Sequence, residues 1–315
     1  MQTHLTSDPS VAAAYVRRGL LAAFPTETVY GLGADAFQPD AIARIFAAKG
    51  RPQDNPLIVH LAALGQLRAV ARTVPEAARR LIDAFFPGPT TLILPRHEHL
   101  PAAVSGGLGT VGVRMPRHPV AHAFLAACGT PVAAPSANRS GRPSPTTWQA
   151  VRDDLDGRIA CILRGDRSEA GLESTVVDCT GPVPLVLRAG VVTLEALRAV
   201  LPETRLAAPG TREAARSPGT RYRHYAPRAA VRLVDHPEDA AAGPTSAYLG
   251  LDAPPDPTQY GHVTIAPDLE RYAYEVYDFF RRCDALGIDT IYCQRVVPEG
   301  LGRALLDRLE RAARG

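Results

Sequence analysis

Lys49 is the only lysine in a chain whose lysines and arginines together number 35, and Arg51 follows two residues later in Lys49-Gly50-Arg51-Pro52. A mobile ammonium beside a planar guanidinium suits a polyphosphate, the first as a point charge and the second as a fork for two oxygens. Cations at a helix end also answer the helix dipole, so this pair alone leaves both readings open. Asp54, Asn55 and His60 follow, where the chain turns back into an apolar run. Thr26-Glu27-Thr28-Val29-Tyr30-Gly31-Leu32-Gly33 sets hydroxyls and a carboxylate beside glycines that let a ligand approach the backbone, or else forms a plain turn. Pro135-Ser136-Ala137-Asn138-Arg139-Ser140-Gly141, continuing to Ser144 and preceded by Ala134, offers side chains and bare amides of the kind that nest a phosphate. Thr110 and Arg114 on one apolar run, with Ser174 and Arg188 on two others, add hydroxyls and two guanidinium groups. An arginine inside a strongly apolar strand has to be met by a bound anion or an internal carboxylate.

The runs that carry these groups are bounded by Gly or Pro and read as buried strands: Leu20 to Pro25, Leu57 to Leu61, Thr91 to Leu94, Val111 to Val113, Val132 to Ala134, Ile159 to Leu163, Thr175 to Val177 and Leu185 to Leu187. Helical periodicity lies between them, at Asp40 to Lys49, Pro75 to Phe86, Pro119 to Ala127 and Leu194 to Val200. The alternation predicts a mixed α/β domain over residues 1–201, with its polar clusters at strand ends, where such folds place ligands. Residues 202–228 lapse into Pro, Gly, Arg and Ala and read as a linker. Strands then resume at Val231 to Val234, Ser246 to Leu251, Val263 to Ala266 and Thr290 to Cys293, with an amphipathic helix bearing Leu269, Tyr272, Val276, Phe279 and Phe280 and another from Pro298 to Arg314. Residues 229–315 are therefore expected to form a small second α/β domain on a parallel sheet. The linker ends in Ser217-Pro218-Gly219-Thr220-Arg221-Tyr222-Arg223-His224-Tyr225-Ala226-Pro227, more aromatic and cationic than a tether needs, which suggests a lid.

Bulk properties narrow the class. With 46% hydrophobic and 21% charged residues over 315 positions, the chain is an ordinary globular protein of two domains. No run approaches the roughly 18 apolar residues of a membrane span, no signal peptide is expected, and five scattered cysteines suit a reducing cytoplasm. A net charge of +3 speaks against a nucleic-acid binder driven by its overall field, though weak tRNA contact is compatible with it. Gly31-Leu32-Gly33-Ala34-Asp35-Ala36 matches a dinucleotide fingerprint in letters only, because Thr26 to Tyr30 separate it from the strand before. No GxxxxGK[ST] loop occurs, and His97-Glu98-His99 lacks a third ligand, so no protein-held metal is expected.

Taken together, PTETVYGLG at Pro25 to Gly33, KGRPQDNPL at Lys49 to Leu57 with His60, PSAN at Pro135 to Asn138, ESTVVD at Glu173 to Asp178 and SPGTRYRHYAP at Ser217 to Pro227 resemble the threonylcarbamoyl-AMP synthase family in its long form. The resemblance spans nearly the whole chain and implies a YrdC-like twisted, open mixed sheet with helices, plus a small Rossmann-like α/β C-terminal domain. It implies that ATP, bicarbonate and L-threonine, with Mg²⁺ carried by ATP, give threonylcarbamoyl-AMP and pyrophosphate for threonylcarbamoyladenosine in tRNA. It places Thr28, His60, Arg114, Ala134 and Ser174 around threonine. It places Lys49, Arg51, Asn55, Thr110, Ser136, Asn138, Ser144, Arg188 and Tyr225 around ATP, with Lys49 and Arg51 steadying the leaving group. A tRNA-modifying threonylcarbamoyl transferase complex is the expected recipient of the product. The rival expectations are a carbamoyl-adenylate-forming carbamoyltransferase and a non-enzymatic double-stranded RNA-binding module.

Overall fold

The computed structural model describes residues 2–208 and 225–314. The lid motif from Ser217 to His224 thus lies outside the described residues, and Tyr225 is the first of its residues to be described.

The chain begins with β1 (His4–Thr6), α1 (Pro9–Arg17), β2 (Ala22–Phe24), β3 (Gly31–Asp35), α2 (Pro39–Lys49), β4 (Ile58–His60), α3 (Leu67–Val70) and α4 (Glu76–Phe85). It continues through β5 (Thr90–Pro95), β6 (Thr110–Arg114), α5 (Pro119–Cys128), β7 (Val132–Ala134), α6 (Trp148–Leu155), β8 (Cys161–Leu163), β9 (Thr175–Asp178), β10 (Leu185–Arg188), α7 (Leu194–Val200) and β11 (Arg205–Leu206). These eleven strands form one mixed sheet in the order β1-β8-β2-β3-β7-β4-β6-β5-β9-β10-β11. The sheet runs past residue 201, since Arg205 and Leu206 pair in parallel with Leu185 and Val186.

The strands expected from apolar runs form within a few residues of their predicted bounds, but β3 falls where the glycines suggested a loop. The reason is packing. A Cβ on Gly31 would stand 3.0 Å from Phe24 Cζ, and one on Gly33 would stand 2.9 Å from Val132 Cγ1, so these positions are bare because neighbouring side chains fill the space. Pairing β3 between β2 and β7 holds the preceding hydroxyl-rich turn over the strand ends. α2 starts at Pro39 and stops at Gly50, whose φ of 62° ends the helix in the left-handed region and delivers Lys49 and Arg51 to the same rim.

The second sheet holds β12 (Ala230–Val234), β13 (Gly243–Gly250), β14 (Tyr260–Ile265) and β15 (Thr290–Gln294), in the order β12-β15-β13-β14. All three of its pairings are parallel, as the strand–helix alternation predicts. Its helices are α8 (Leu269–Leu286), capped by the Asp268 side chain, and α9 (Gly300–Ala313). The Tyr272, Val276, Phe279 and Phe280 face of α8 is buried in this domain's core. α8 also meets the first domain: a Cβ on Gly171 would come within 2.5 Å of the Ala273 carbonyl oxygen and the Tyr274 Cα. No helix among the described residues is long and apolar enough to cross a membrane.

Candidate active site

A cavity opens where the ends of β4, β6 and β7, the turn before β3 and the segments around β9 and β10 meet. One part of it is walled by Thr26, Thr28, His60, Arg114 and Ala134. Arg114 ends β6 with its guanidinium buried. Nη1 donates to Thr28 Oγ1 at 2.8 Å, Nε donates to the Gly88 carbonyl at 3.3 Å, and Nη2 lies 2.8 Å from Glu27 Oε1. Burial alone would raise the Glu27 carboxyl, but the charge of Arg114 beside it holds it below the ordinary carboxylate value. Both Glu27 oxygens nonetheless lack a well-aligned donor, so the pair is an ion contact and not a fork-to-carboxylate clamp. Each of the three guanidinium nitrogens thus has a protein neighbour, and Arg114 also borders the cavity. His60 Nδ1 donates to the Ile58 carbonyl at 3.2 Å, and burial together with the neighbouring Arg114 charge pushes its pKa down to about 3, so the imidazole is neutral.

Arg51, Ser136, Ser174, Arg188 and Tyr225 wall the other part. Arg51 Nη2 donates to the Pro56 carbonyl at 3.1 Å. Arg188 lies across the backbone before β9, donating from Nη2 to Ser174 O at 2.9 Å and to Ser174 Oγ at 3.2 Å, while Ser174 Oγ also pairs with Thr91 Oγ1 at 2.8 Å. This contact needs a bare residue at 190, because a Cβ on Gly190 would stand 2.4 Å from the Thr175 nitrogen.

Nine of the predicted site residues thus border one cavity: Thr28, Arg51, His60, Arg114, Ala134, Ser136, Ser174, Arg188 and Tyr225. Lys49, Asn55, Thr110, Asn138 and Ser144 are not among the residues that line it. The Lys49 ammonium, 2% exposed, donates to the Ser136 carbonyl at 2.6 Å and to the Asn138 carbonyl, so here it clamps the Pro135–Asn138 turn. Burial, then the Arg51 charge, lowers its pKa well below the ordinary lysine value. Asn138 braces the same turn, accepting from Ser136 Oγ at 2.5 Å and donating to the Arg139 and Arg142 carbonyls at 2.9 Å. Asn55 is buried with its Oδ1 unpartnered, and Thr110 opens β6 opposite Pro95.

Ser144 leads to what the sequence reading overlooked. Its hydroxyl donates to Glu173 Oε1 at 2.6 Å, and Glu173, which lines the cavity, also accepts from Tyr277 on α8 and from Arg308 on α9. Burial would raise this carboxyl, while Arg308 and Arg188 hold it below its ordinary value. Tyr225, with φ 69°, stacks on Tyr277 at 5.5 Å and lies 5.2 Å from the Arg308 guanidinium carbon. The available signal was α9's register: Leu301, Ala304, Leu305, Arg308, Leu309 and Ala312 repeat at the spacing of one helix face, which puts an arginine among core positions.

Among the described residues no group of three or more His, Cys, Asp or Glu side chains is placed to hold a metal. The cavity's carboxylate at Glu173 is engaged by Arg308, so the donor set suits a Mg²⁺ that arrives on phosphate oxygens and not an all-protein cage.

A family model for Sua5, YciO and YrdC proteins, described as "Telomere recombination", matches residues 14–190, and one described as "Threonylcarbamoyl-AMP synthase, C-terminal domain" matches residues 192–314. The threonylcarbamoyl-AMP synthase of Pyrococcus abyssi is 42% identical, over 96% of this chain and 93% of its own length. That of Bacillus subtilis is 41% identical, over 98% of this chain and 94% of its own. A crystal structure of Pyrococcus abyssi Sua5 complexed with L-threonine superposes with a TM-score of 0.90 at 39% identity, covering 99% of this chain and 97% of that one. In length, motif order, both sheets and their docking, this chain belongs to the two-domain threonylcarbamoyl-AMP synthase family.

Proposed function

We propose that the cavity seats L-threonine against Thr28, His60, Arg114, Ala134 and Ser174, and ATP against Arg51, Ser136 and Arg188 with Tyr225 closing over it. The chain is a threonylcarbamoyl-AMP synthase serving threonylcarbamoyladenosine modification of tRNA. The observation that carries the site assignment is that residues as distant in sequence as Thr28 and Tyr225 border one cavity with two buried guanidinium regions, one at Arg114 and one at Arg51 and Arg188. Two anionic ligands side by side, a carboxylate and a polyphosphate, match that distribution of charge.

The reaction follows from this seating. The threonine amine takes up bicarbonate with loss of water to give a carbamate. A carbamate oxygen then attacks the α-phosphorus of ATP, forming the mixed anhydride as the bond to the β-phosphate breaks and pyrophosphate leaves. Arg114 forks the threonine carboxylate, and neutral His60 offers a lone pair to the amine or hydroxyl without adding charge. Arg51 and Arg188 neutralise the charge that develops on the departing oxygens, and Lys49 fixes the turn that presents Ser136. Mg²⁺, when bound with ATP, screens the phosphates. Asn138 and Ser144 act on the nucleotide through the turn and the Glu173 carboxylate that they brace, while Asn55 and Thr110 complete the ATP side. Tyr225 covers a product that water would hydrolyse, until a tRNA-modifying threonylcarbamoyl transferase complex receives it. ATP, bicarbonate, threonine and tRNA meet in the cytoplasm, where we place the enzyme.

Pyrophosphate release from purified protein, with each substrate omitted in turn, tests this reading. Release should require ATP, L-threonine and bicarbonate together. Release without threonine, or release sustained by carbamoyl phosphate in place of bicarbonate, would instead favour a carbamoyltransferase.

A further inference from the structure

Two side chains of the C-terminal domain, Tyr277 and Arg308, touch the cavity-lining Glu173 and Tyr225. Arg308 is fully buried at 0% exposure, and each end of its guanidinium is committed. Nε donates to Glu173 Oε2 at 2.8 Å, Nη2 to the Ala189 carbonyl at 2.9 Å and Nη1 to Asp307 at 2.5 Å. Its carbon lies 5.2 Å from the centre of the Tyr225 ring. Glu173 precedes Ser174 and Ala189 follows Arg188, so the contacts of Arg308 lie next in sequence to two residues that border the cavity.

We infer that Arg308 is a positioning residue for the nucleotide half of the active site, holding Glu173, Ala189 and Tyr225 in the one arrangement that lets a triphosphate enter. This rests on the function proposed above and deepens it. A carboxylate on the cavity wall would repel a polyanion. Paired with Arg308, and with Ser144 and Tyr277 donating to its oxygens, Glu173 presents a neutralised surface. Tyr225 sits in the left-handed region at φ 69°, a strained conformation for a non-glycine residue, and its ring stacks on Tyr277 and lies against the Arg308 guanidinium. On the threonine side, Arg114 and His60 are held by Glu27, Gly88 and Ile58, none of which Arg308 touches, and Ser174 is the one threonine neighbour adjacent to an Arg308 contact. A lesion at Arg308 should therefore act more strongly on ATP than on L-threonine.

The test is steady-state pyrophosphate release by the full-length protein, with ATP and L-threonine varied separately. Arg308→Lys keeps a cation for Glu173 but cannot also reach the Ala189 carbonyl and cover Tyr225. It should raise KM for ATP on the order of tenfold while KM for L-threonine stays within about twofold. The double variant Glu173→Gln with Arg308→Met removes both buried charges, and Asp307 retains its bonds from Arg311, so the fold is expected to persist. It should show the same ATP-selective rise. Unchanged ATP affinity in both variants with only a lowered Tm, or equal shifts for both substrates, would overturn the inference in favour of simple bracing. If both arginine variants fail to fold, Tyr277→Phe decides: loss of one hydroxyl from Glu173 should raise KM for ATP by roughly threefold, and no change would overturn the inference. A wild-type protein that released no threonine-dependent pyrophosphate would contradict the proposed function itself, an outcome distinct from either result.

Discussion

Arg114 and Lys49 are both buried cations reached by the same sequence reasoning, yet they are used differently. Arg114 is fixed by Glu27, Thr28 and the Gly88 carbonyl where it borders the cavity, which makes geometry and not charge alone its contribution. Arg114→Lys should raise KM for L-threonine about 10- to 100-fold, equivalent to about 1.4 to 2.8 kcal/mol, with a smaller effect on ATP; equal effects on both would contradict its placement. Lys49→Ala removes the clamp on the Ser136 and Asn138 carbonyls and should lower turnover by about a hundredfold or more with the far-ultraviolet dichroism unchanged. His60 makes a prediction of opposite character. Its folded pKa near 3 lies below its ordinary 6.5, so its contribution to stability is complete above about pH 6.5 and is lost as the pH falls toward 3. Imidazole NMR at pH 5 should find it neutral. The residue types were legible because hydroxyls and cations at strand ends are conspicuous. That Lys49 would clamp a turn was not, because its carbonyl partners belong to residues 87 and 89 positions away.

Elements were legible where apolar periodicity set them and illegible where close packing did. β4, β6, β7 and both helices of the C-terminal domain follow their patterns, whereas β3 is written in glycines that Phe24 and Val132 require. β1, α1 and α6 went unpredicted because short or alanine-rich segments carry little contrast between faces. The contact between α8 and Gly171 belongs to this scale as well. Gly171 has φ 70° and no room for a Cβ against the α8 backbone, so Gly171→Ala must push that helix away from the catalytic domain. A loss of about 2 kcal/mol or more in urea unfolding is expected, together with weaker ATP binding as Tyr277 withdraws. Stability within about 0.5 kcal/mol of wild type would show that the helix is not seated there.

At the scale of the molecule, two sheets that are each legible in sequence are joined by contacts that are not. Arg281 grips Asp154 across 127 residues, Arg167 reaches Glu275 and lies 3.8 Å from the centre of the Tyr274 ring, and Arg308 holds Glu173 across 135. No local pattern pairs charges at such separations. The same pairs set the response to acid. Glu27 and Glu173 are held below their ordinary 4.5, so the stability they contribute is present above that value and is lost as the pH drops below it and through their folded values. Melting temperature should therefore fall steeply below about pH 4.5, and less steeply in the Glu173→Gln, Arg308→Met double variant, as calorimetry across pH would record. The most direct measurement is a crystal structure with L-threonine and a non-hydrolysable ATP analogue bound together. The threonine carboxylate is expected on Arg114 and the phosphates between Arg51 and Arg188, in one cavity under Tyr225. Either ligand bound elsewhere, or the two orders reversed, would contradict the shared site on which the proposed reaction depends.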